Sequence, residues 1–300
     1  MHLTPLAPSH IPDLTRLINA QIAPIPPHWT LIESQVAAIL QKPSLWEIHY
    51  ADEEPPPWTW TSETLCIVED DHVLAAARFD HRTQYDHLTM ASGRWLVGDP
   101  AYPEALKRLL DELISKREHM EQYVFVNGRT DFGIGWSGIP TTDTHVMQAL
   151  AEKGFVPFQK WLVMTADISH FAADDMPLPS VESLRLQWAI NESPLEWHLN
   201  LYDGETQIGE CQSWGIPSEF ASCSDYALWM QIEWLGVEPE YQRRGLARRL
   251  MHEQFRYHAR RGTRYCLLYT ELDNTATKAL NASLGFTTDA EVWGWMWKPQ

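Results

Sequence analysis

The chain has 300 residues, with 40 acidic against 23 basic side chains and a formal net charge of −17. This length lies where a single core stops growing and predicts about two domains; a hydrophobic share of 44% with 15 tryptophans excludes a disordered polymer. The acidic excess argues against a nucleic-acid partner, which is bound through Lys and Arg, and favours cationic ligands such as amines.

The opening MHLTPLAPSHIPDL has no charged region followed by an apolar core, so no secretory signal is read. With Ser9 as cap, Ile11, Leu14, Leu17 and Ile18 recur at helical spacing, and a second helix is predicted in LIESQVAAILQ, stopped by Pro43. EEPPPW (53–58) reads as a surface loop. TLCIVED and HVLAAARFD read as strands joined by a turn at Glu69, Asp70 and Asp71. A strand RWLVG then leads into the helix YPEALKRLLDELISKREHM, with Leu106, Leu109, Leu110 and Leu113 on one side. The strand YVFVNGR, a glycine-rich loop at Gly128–Gly138, the helix THVMQALAEKG and the strand KWLVMTADI complete this half. The loop does not run directly into a helix, so it is read as a flexible loop over an acceptor rather than a phosphate site.

FAADDMPLPS (171–180) has the composition of a linker, and after it the order of elements largely repeats. EWHLNLYDGETQIGECQSW reads as two strands about Asp203-Gly204, YALWMQIEWLGV as a third, followed by a helix from about Gln242 to Arg260. The strand RYCLLYT, the helix NTATKALNASLG and the strand EVWGWMWK close the half. ALAEKGF ending at Phe155 matches LNASLGF ending at Phe286, and VGDPAYPEALKRLL faces VEPEYQRRGLARRLM. Self-similarity at so long a period indicates duplicated α/β domains, predicted over 1–170 and 178–300.

No apolar run approaches the ~18 residues that span a bilayer. Cys66, Cys211, Cys223 and Cys266 are scattered without a C-x-x-C pair, and His81 and His87 fit no metal spacing. The expectation is a cytoplasmic protein with reduced thiols, no membrane partner and no metal.

The chemistry concentrates where the strand ending at Val237 passes through EPEY into Gln242-Arg243-Arg244-Gly245-Leu246-Ala247 and a helix. A helix N-terminus presents unpaired N–H groups and partial positive charge, and the small Gly245 and Ala247 let an anionic oxygen approach. From Arg243 to Arg264 eight arginines stand against one glutamate, Glu253, a local charge of +7, which leaves −24 on the rest of the chain. Leu250 and Met251 belong to the buried stripe of this helix, and Arg248, Arg249, Arg256 and Arg260 to its solvated face. The pattern predicts an anion site at the turn.

The QRRGLA turn, the V-x-P-x-Y approach before it, and the later spacing of Asn274, Leu280, Gly285 and Phe286 together resemble the GNAT acetyltransferase superfamily, clearly over about Ala227 to Trp297. The first half resembles the same fold only in element order. The resemblance implies two α/β domains, each a mixed, mostly antiparallel sheet flanked by helices, with a degenerate, structural or acceptor-shaping first domain. It implies an N-acetyltransferase using acetyl-CoA as acetyl donor, with direct transfer to a primary amine of a small molecule or peptide. Gln242 to Ala247 would cradle the pyrophosphate, Leu235, Gly236 and Val237 would bond the pantetheine arm as an added strand, and Asn274 would hold that arm from the other side of a splayed strand pair.

An amine must lose a proton before it attacks, and the resemblance places a base on the strand before the turn. Strict alternation puts Gln231, Glu233, Leu235 and Val237 on one face, which makes Glu233 the candidate. Where many family members carry a tyrosine that protonates the leaving thiolate, this chain has Asn281, so either Tyr269 substitutes or the thiolate leaves unaided. In the first half Pro103 and Glu104 occupy the place of the turn, which argues against a second CoA site. Asn281 also makes a silent acyl-CoA scaffold or sensor a rival reading. An aminoacyl-tRNA-dependent transferase is disfavoured by the acidic charge. The oligomeric state and the acceptor's identity stay open.

Overall fold

The structure, a computed structural model, describes residues 1–41, 58–84, 87–115, 124–126, 138–173, 184–192, 195–215 and 225–297. The chain forms two compact units, Met1–Trp161 with Ala290–Gln300, and Leu162–Asp289. This differs from the linker-based division at 170 and 178. The strand Val156–Asp167 runs unbroken through the boundary, and the tryptophans of the closing segment pack into the core of the first unit. Most of the linker-like stretch, residues 174–180, lies outside the described residues, as do 53–57 of EEPPPW, residues 128–137 of the glycine-rich loop, and Cys223.

The first unit begins with β1 (His2–Pro5), α1 (Ile11–Ile22) and α2 (Glu33–Leu40), and continues through β2 (Trp58–Glu69), β3 (His72–Gln84) and β4 (His87–Gly98). Then come α3 (Pro103–Ser115), β5 (Val124–Val126), β6 (Ile139–Pro140), α4 (Thr144–Glu152) and β7 (Val156–Asp167). Asp70 and Asp71 both take left-handed φ (49° and 65°), the conformation that matches a tight hairpin to strand twist. Leu106, Leu109, Leu110 and Leu113 of α3 are buried against Ala75, Ala77 and Leu96 of the sheet, which is why the helix forms with this face inward.

The second unit holds β8 (Leu184–Glu192), β9 (Leu195–Asp203), β10 (Thr206–Gly215), β11 (Trp229–Val237), α5 (Leu246–Ala259), β12 (Tyr265–Glu271) and α6 (Thr275–Ser283); β13 (Thr287–Trp297) starts here and belongs to the first unit from Ala290. Strands β8 to β11 are antiparallel neighbours, and β12 joins β11 in parallel. In the first unit β1 to β4 are likewise antiparallel, β5 joins β4 in parallel, and β13 adds antiparallel to β5. Each unit is therefore a mixed, mostly antiparallel sheet flanked by helices, as the resemblance implies.

Strand β8 was not read from sequence, although Leu184, Leu186, Trp188 and Ile190 alternate along it. The helix expected from about Gln242 starts at Leu246, because Arg243 and Gly245 hold left-handed backbone that an α-helix does not admit. Among the described residues no helix is long and apolar enough to cross a membrane.

Candidate active site

The site is built around β11. Its antiparallel register with β10 pairs Gln212 with Trp234 and Ser213 with Ile232, so Glu233 is the extra residue of a β-bulge. A bulge resets the two-residue alternation and re-aims the side chain it carries. Directly paired residues share a face. Ser213 and Cys211 look toward α5, where Ser213 Oγ donates to Gln254 Oε1 at 3.0 Å. Their partners Ile232 and Leu235 therefore share that helix-facing side. Glu233 lies with Gln231 on the opposite one. The expectation that Glu233 shares a face with Leu235 and Val237 is corrected by the bulge: both of these pack against the core beneath α5.

On its own face Glu233 is held at both oxygens. Gln231 Nε2 donates to Oε2 at 2.6 Å, and the Tyr269 hydroxyl donates to Oε1 at 3.1 Å. Gln231 is buried, whereas Glu233 and Tyr269 are half-buried and reachable. The parallel ladder between β11 and β12 runs from Trp229↔Tyr265 to Gln231↔Leu267, and no further pair joins them among the described residues although both strands continue. Leu235, Gly236 and Val237 pair on their other edge with Cys211, Glu210 and Gly209, so one edge of this stretch is left to accept an added strand.

The turn after β11 is tightly scaffolded. Gln242 Nε2 donates to the Val237 carbonyl at 2.9 Å, and Arg244 Nη2 to the Glu240 carbonyl at 2.9 Å. The Tyr241 hydroxyl donates to Asp203 Oδ2 at 3.1 Å, and that carboxylate pushes the phenol's pKa up. Gln242, with φ −64°, is followed by Arg243 at +60°, and Gly245 at +76° caps α5. Residues of alternating handedness turn successive N–H groups into one concavity, which suits an anion. A Cβ on Gly245 would meet no protein atom within 4 Å, so packing does not demand glycine there; the left-handed φ and an open approach do. Leu246 sends its side chain into the core, and it and Ala247 can offer only N–H groups outward.

Asn274 caps α6, its side chain accepting from Thr277 N at 3.0 Å. Its amide NH2 is then what it can offer a ligand. Asn281 is fully buried, its Nδ2 lying 3.7 Å from Met164 Sδ and its Oδ1 without a hydrogen-bond partner among the described residues, so it is a core side chain. Burial pushes the Cys66 thiol up to about 12 and raises Cys211 and Cys266 as well, which makes them poor nucleophiles. Among the described residues no group of three or more His, Cys, Asp or Glu is placed to hold a metal.

In the first unit the corresponding turn is filled by the protein's own groups. Asp99 accepts from Ala101 N at 3.0 Å and pairs with Arg16 at 3.0 Å, while Pro103 and Glu104 open α3. No residue from Gly98 to Ala105 takes the left-handed φ that Arg243 and Gly245 hold.

Residues 164–286 match the model of the Acetyltransferase (GNAT) family. The matched stretch lies within the second unit, Leu162–Asp289. Over its whole length the chain shares the fold of a tandem GNAT protein from the clavulanic acid biosynthesis pathway, at 14% identity and a TM-score of 0.65, covering 100% of this chain and 98% of that one. A GCN5-related N-acetyltransferase from Sphaerobacter thermophilus is similar at 15% identity and a TM-score of 0.61, with 100% and 96% covered. No curated protein matches the sequence significantly.

Proposed function

We propose that the chain transfers an acetyl group from acetyl-CoA directly to a primary amine, with Glu233 as general base. The observation that carries this is the position of Glu233: a carboxylate fixed by Gln231 and Tyr269 on a bulge, beside an open strand edge that leads to the Arg243–Gly245 turn. The edge suits a pantetheine arm, the turn suits its pyrophosphate, and the thioester would then end beside the carboxylate. Gln242, Arg243, Arg244, Gly245, Leu246 and Ala247 form the cradle, and Asn274 offers its amide NH2.

The face that Glu233 shares supports an amine acceptor. Gln212 and Trp214 pair with Trp234 and Gln231, and Glu196, His198 and Asn200 pair with Trp214, Gln212 and Glu210. This side therefore carries Glu196, Glu210 and Glu233 beside Trp214 and Trp234, which are 38% and 55% exposed. Carboxylates and open indole faces both attract an ammonium group. A small molecule or peptide amine fits such a surface; a polyanion does not.

The test is a fluorescence titration with acetyl-CoA followed by thiol release against a panel of small primary amines. Saturable binding with amine-dependent thiol release supports the reading. Binding without release from any amine would instead support a silent acyl-CoA scaffold.

A further inference from the structure

We infer that Ser213, Gln254 and His258 are positioning residues: buried beneath the sheet, they fix the register of β10 against β11 and so set the side on which Glu233 stands. The inference rests on the acetyl-transfer reading above and adds what aims its base.

The ladder shows what has to be fixed. From Gly209↔Val237 to Gln212↔Trp234 the pairs advance one residue at a time, so an unbroken ladder would next join Ser213 to Glu233. Directly paired residues share a face. The carboxylate would then lie with Ser213 on the side that buries Cys211, Leu250 and Phe255, where an unpaired charge is costly. Instead Ser213 pairs with Ile232, and Glu233 is passed over. Whatever holds Ser213 to the helix side therefore sends Glu233 to the other.

A serine side chain is too small and too polar to be held there by burial alone. The first unit places Phe79 at the matching position, across from its own bulge, and that ring enters the core unaided. In the second unit hydrogen bonds replace the ring. Ser213 and Gln254 are 0% exposed and His258 is 4% exposed. Gln254 Nε2 donates to the Cys211 carbonyl at 2.8 Å and to the Trp197 carbonyl at 3.4 Å, which leaves its Oε1 to face Ser213. The Ser213 hydroxyl donates to that Oε1 at 3.0 Å. Its one proton is thereby committed, so His258 Nε2, 3.0 Å from the same hydroxyl oxygen, is the donor to it. The imidazole is held in turn by the Trp197 ring, which it meets edge-on at 4.7 Å, and Trp197 is the residue of β9 paired with Ser213. The network thus ties α5, β9 and β10 together at the one place where the ladder changes register. A buried polar network whose members find one another specifies a single arrangement, which an apolar core of the same volume does not.

Ser213→Ala removes the hydroxyl with little change of volume. Gln254→Met, close in shape, removes its acceptor and serves as the second variant if the first does not fold. Calorimetry should give each an acetyl-CoA Kd within about threefold of wild type, while kcat with the best amine of the panel falls about 10²-fold, the scale of a misplaced catalytic group. A general loss of structure is separated by repeating both changes in a Glu233→Gln background. There each should lower kcat by no more than about threefold further, because the residue they aim no longer takes the proton. A folded variant of either kind within about threefold of the wild-type kcat, or a loss of equal size in both backgrounds, overturns the positioning role and leaves the parent reading intact. A Glu233→Gln protein that works at the wild-type rate overturns both.

Discussion

Arg94 and Glu233 hold the same place in the two units. Each is the extra residue of a β-bulge, since Arg78 and Phe79 pair with Trp95 and Gly93 just as Gln212 and Ser213 pair with Trp234 and Ile232. Each precedes a tryptophan, and each lies near the end of the parallel ladder, at Gly93↔Val126 and Gln231↔Leu267. Their surroundings are opposite. Trp95 is 0% exposed against 55% for Trp234, and Arg94 is locked to the buried Asp80 at 3.3 Å. In the first unit the bulged residue forms a core ion pair instead.

Removing one partner of a buried pair leaves the other charge uncompensated, at a cost of about 3–5 kcal/mol. Arg94→Met should therefore destabilise the first unit by that order, measured by urea unfolding. The acetyl-CoA affinity of the folded variant should stay at the wild-type value. A loss below about 1 kcal/mol would show that Asp80, which also accepts from Ser62 Oγ at 2.6 Å, does not depend on the guanidinium.

Glu233→Gln retains the size of the side chain and removes its basicity. Acetyl-CoA affinity should hardly change, while kcat/KM for the amine should fall about 10²–10⁴-fold near neutral pH. The defect should narrow as pH rises and more of the acceptor is neutral. A rate within about threefold of wild type across that range removes Glu233 from the mechanism.

At the turn, Gly245→Val places a branched side chain on a φ of +76° and into the open approach. Calorimetry should show acetyl-CoA binding weakened about 10–100-fold, the scale of one charge-assisted hydrogen bond worth about 1.5–3 kcal/mol. Wild type should bind one equivalent per chain, since Pro103 and Glu104 replace the cradle in the first unit. Two comparable sites, or an unchanged affinity in the Val variant, would place the phosphates elsewhere.

Behind the bulge, His258 Nε2 lies 3.0 Å from Ser213 Oγ, and Gln254 Nε2 donates to the Cys211 carbonyl at 2.8 Å. Burial, and secondarily Arg261, lowers the imidazole pKa from 6.5 to about 4. Between these values the unfolded chain binds a proton that the folded chain refuses, so the unfolded state gains as pH falls. The contribution is fully present above about pH 6.5 and is lost progressively down to about pH 4, to a limit of roughly 3 kcal/mol. Urea unfolding at pH 7 and pH 4.5 should show a smaller loss for His258→Gln than for wild type. Equal losses would mean that His258 titrates normally in the folded protein.

The elements with a strong period were legible in the sequence: the leucine face of α3, the Asp203-Gly204 hairpin, and the strand–turn–helix at Gly245. The face of Glu233 was not. A period of two assumes an unbroken ladder, and a bulge is set by the register between β10 and β11, which one strand's sequence does not carry. The pairing of Glu233 with Tyr269 was hidden for the same reason, because it joins residues of two strands that are not consecutive in a hairpin. Nor does the sequence mark Arg94, whose partner Asp80 lies on another strand of a half that lacks the phosphate turn.

The return of Ala290–Gln300 to the first unit bears on how the molecule is made. Trp295 belongs to that unit's core, and Gly138 lies so close under the returning strand that a Cβ there would fall 2.7 Å from Trp293 N. A ribosome that has delivered every residue up to Asp289 has still not delivered the strand that β5 and β6 pair with. Domains ordinarily fold in the order of synthesis. Here the earlier half must wait, with an open sheet edge, until the later one has been translated, so cutting the gene between residues 173 and 184 should yield a first fragment that aggregates unless the closing strand is supplied to it.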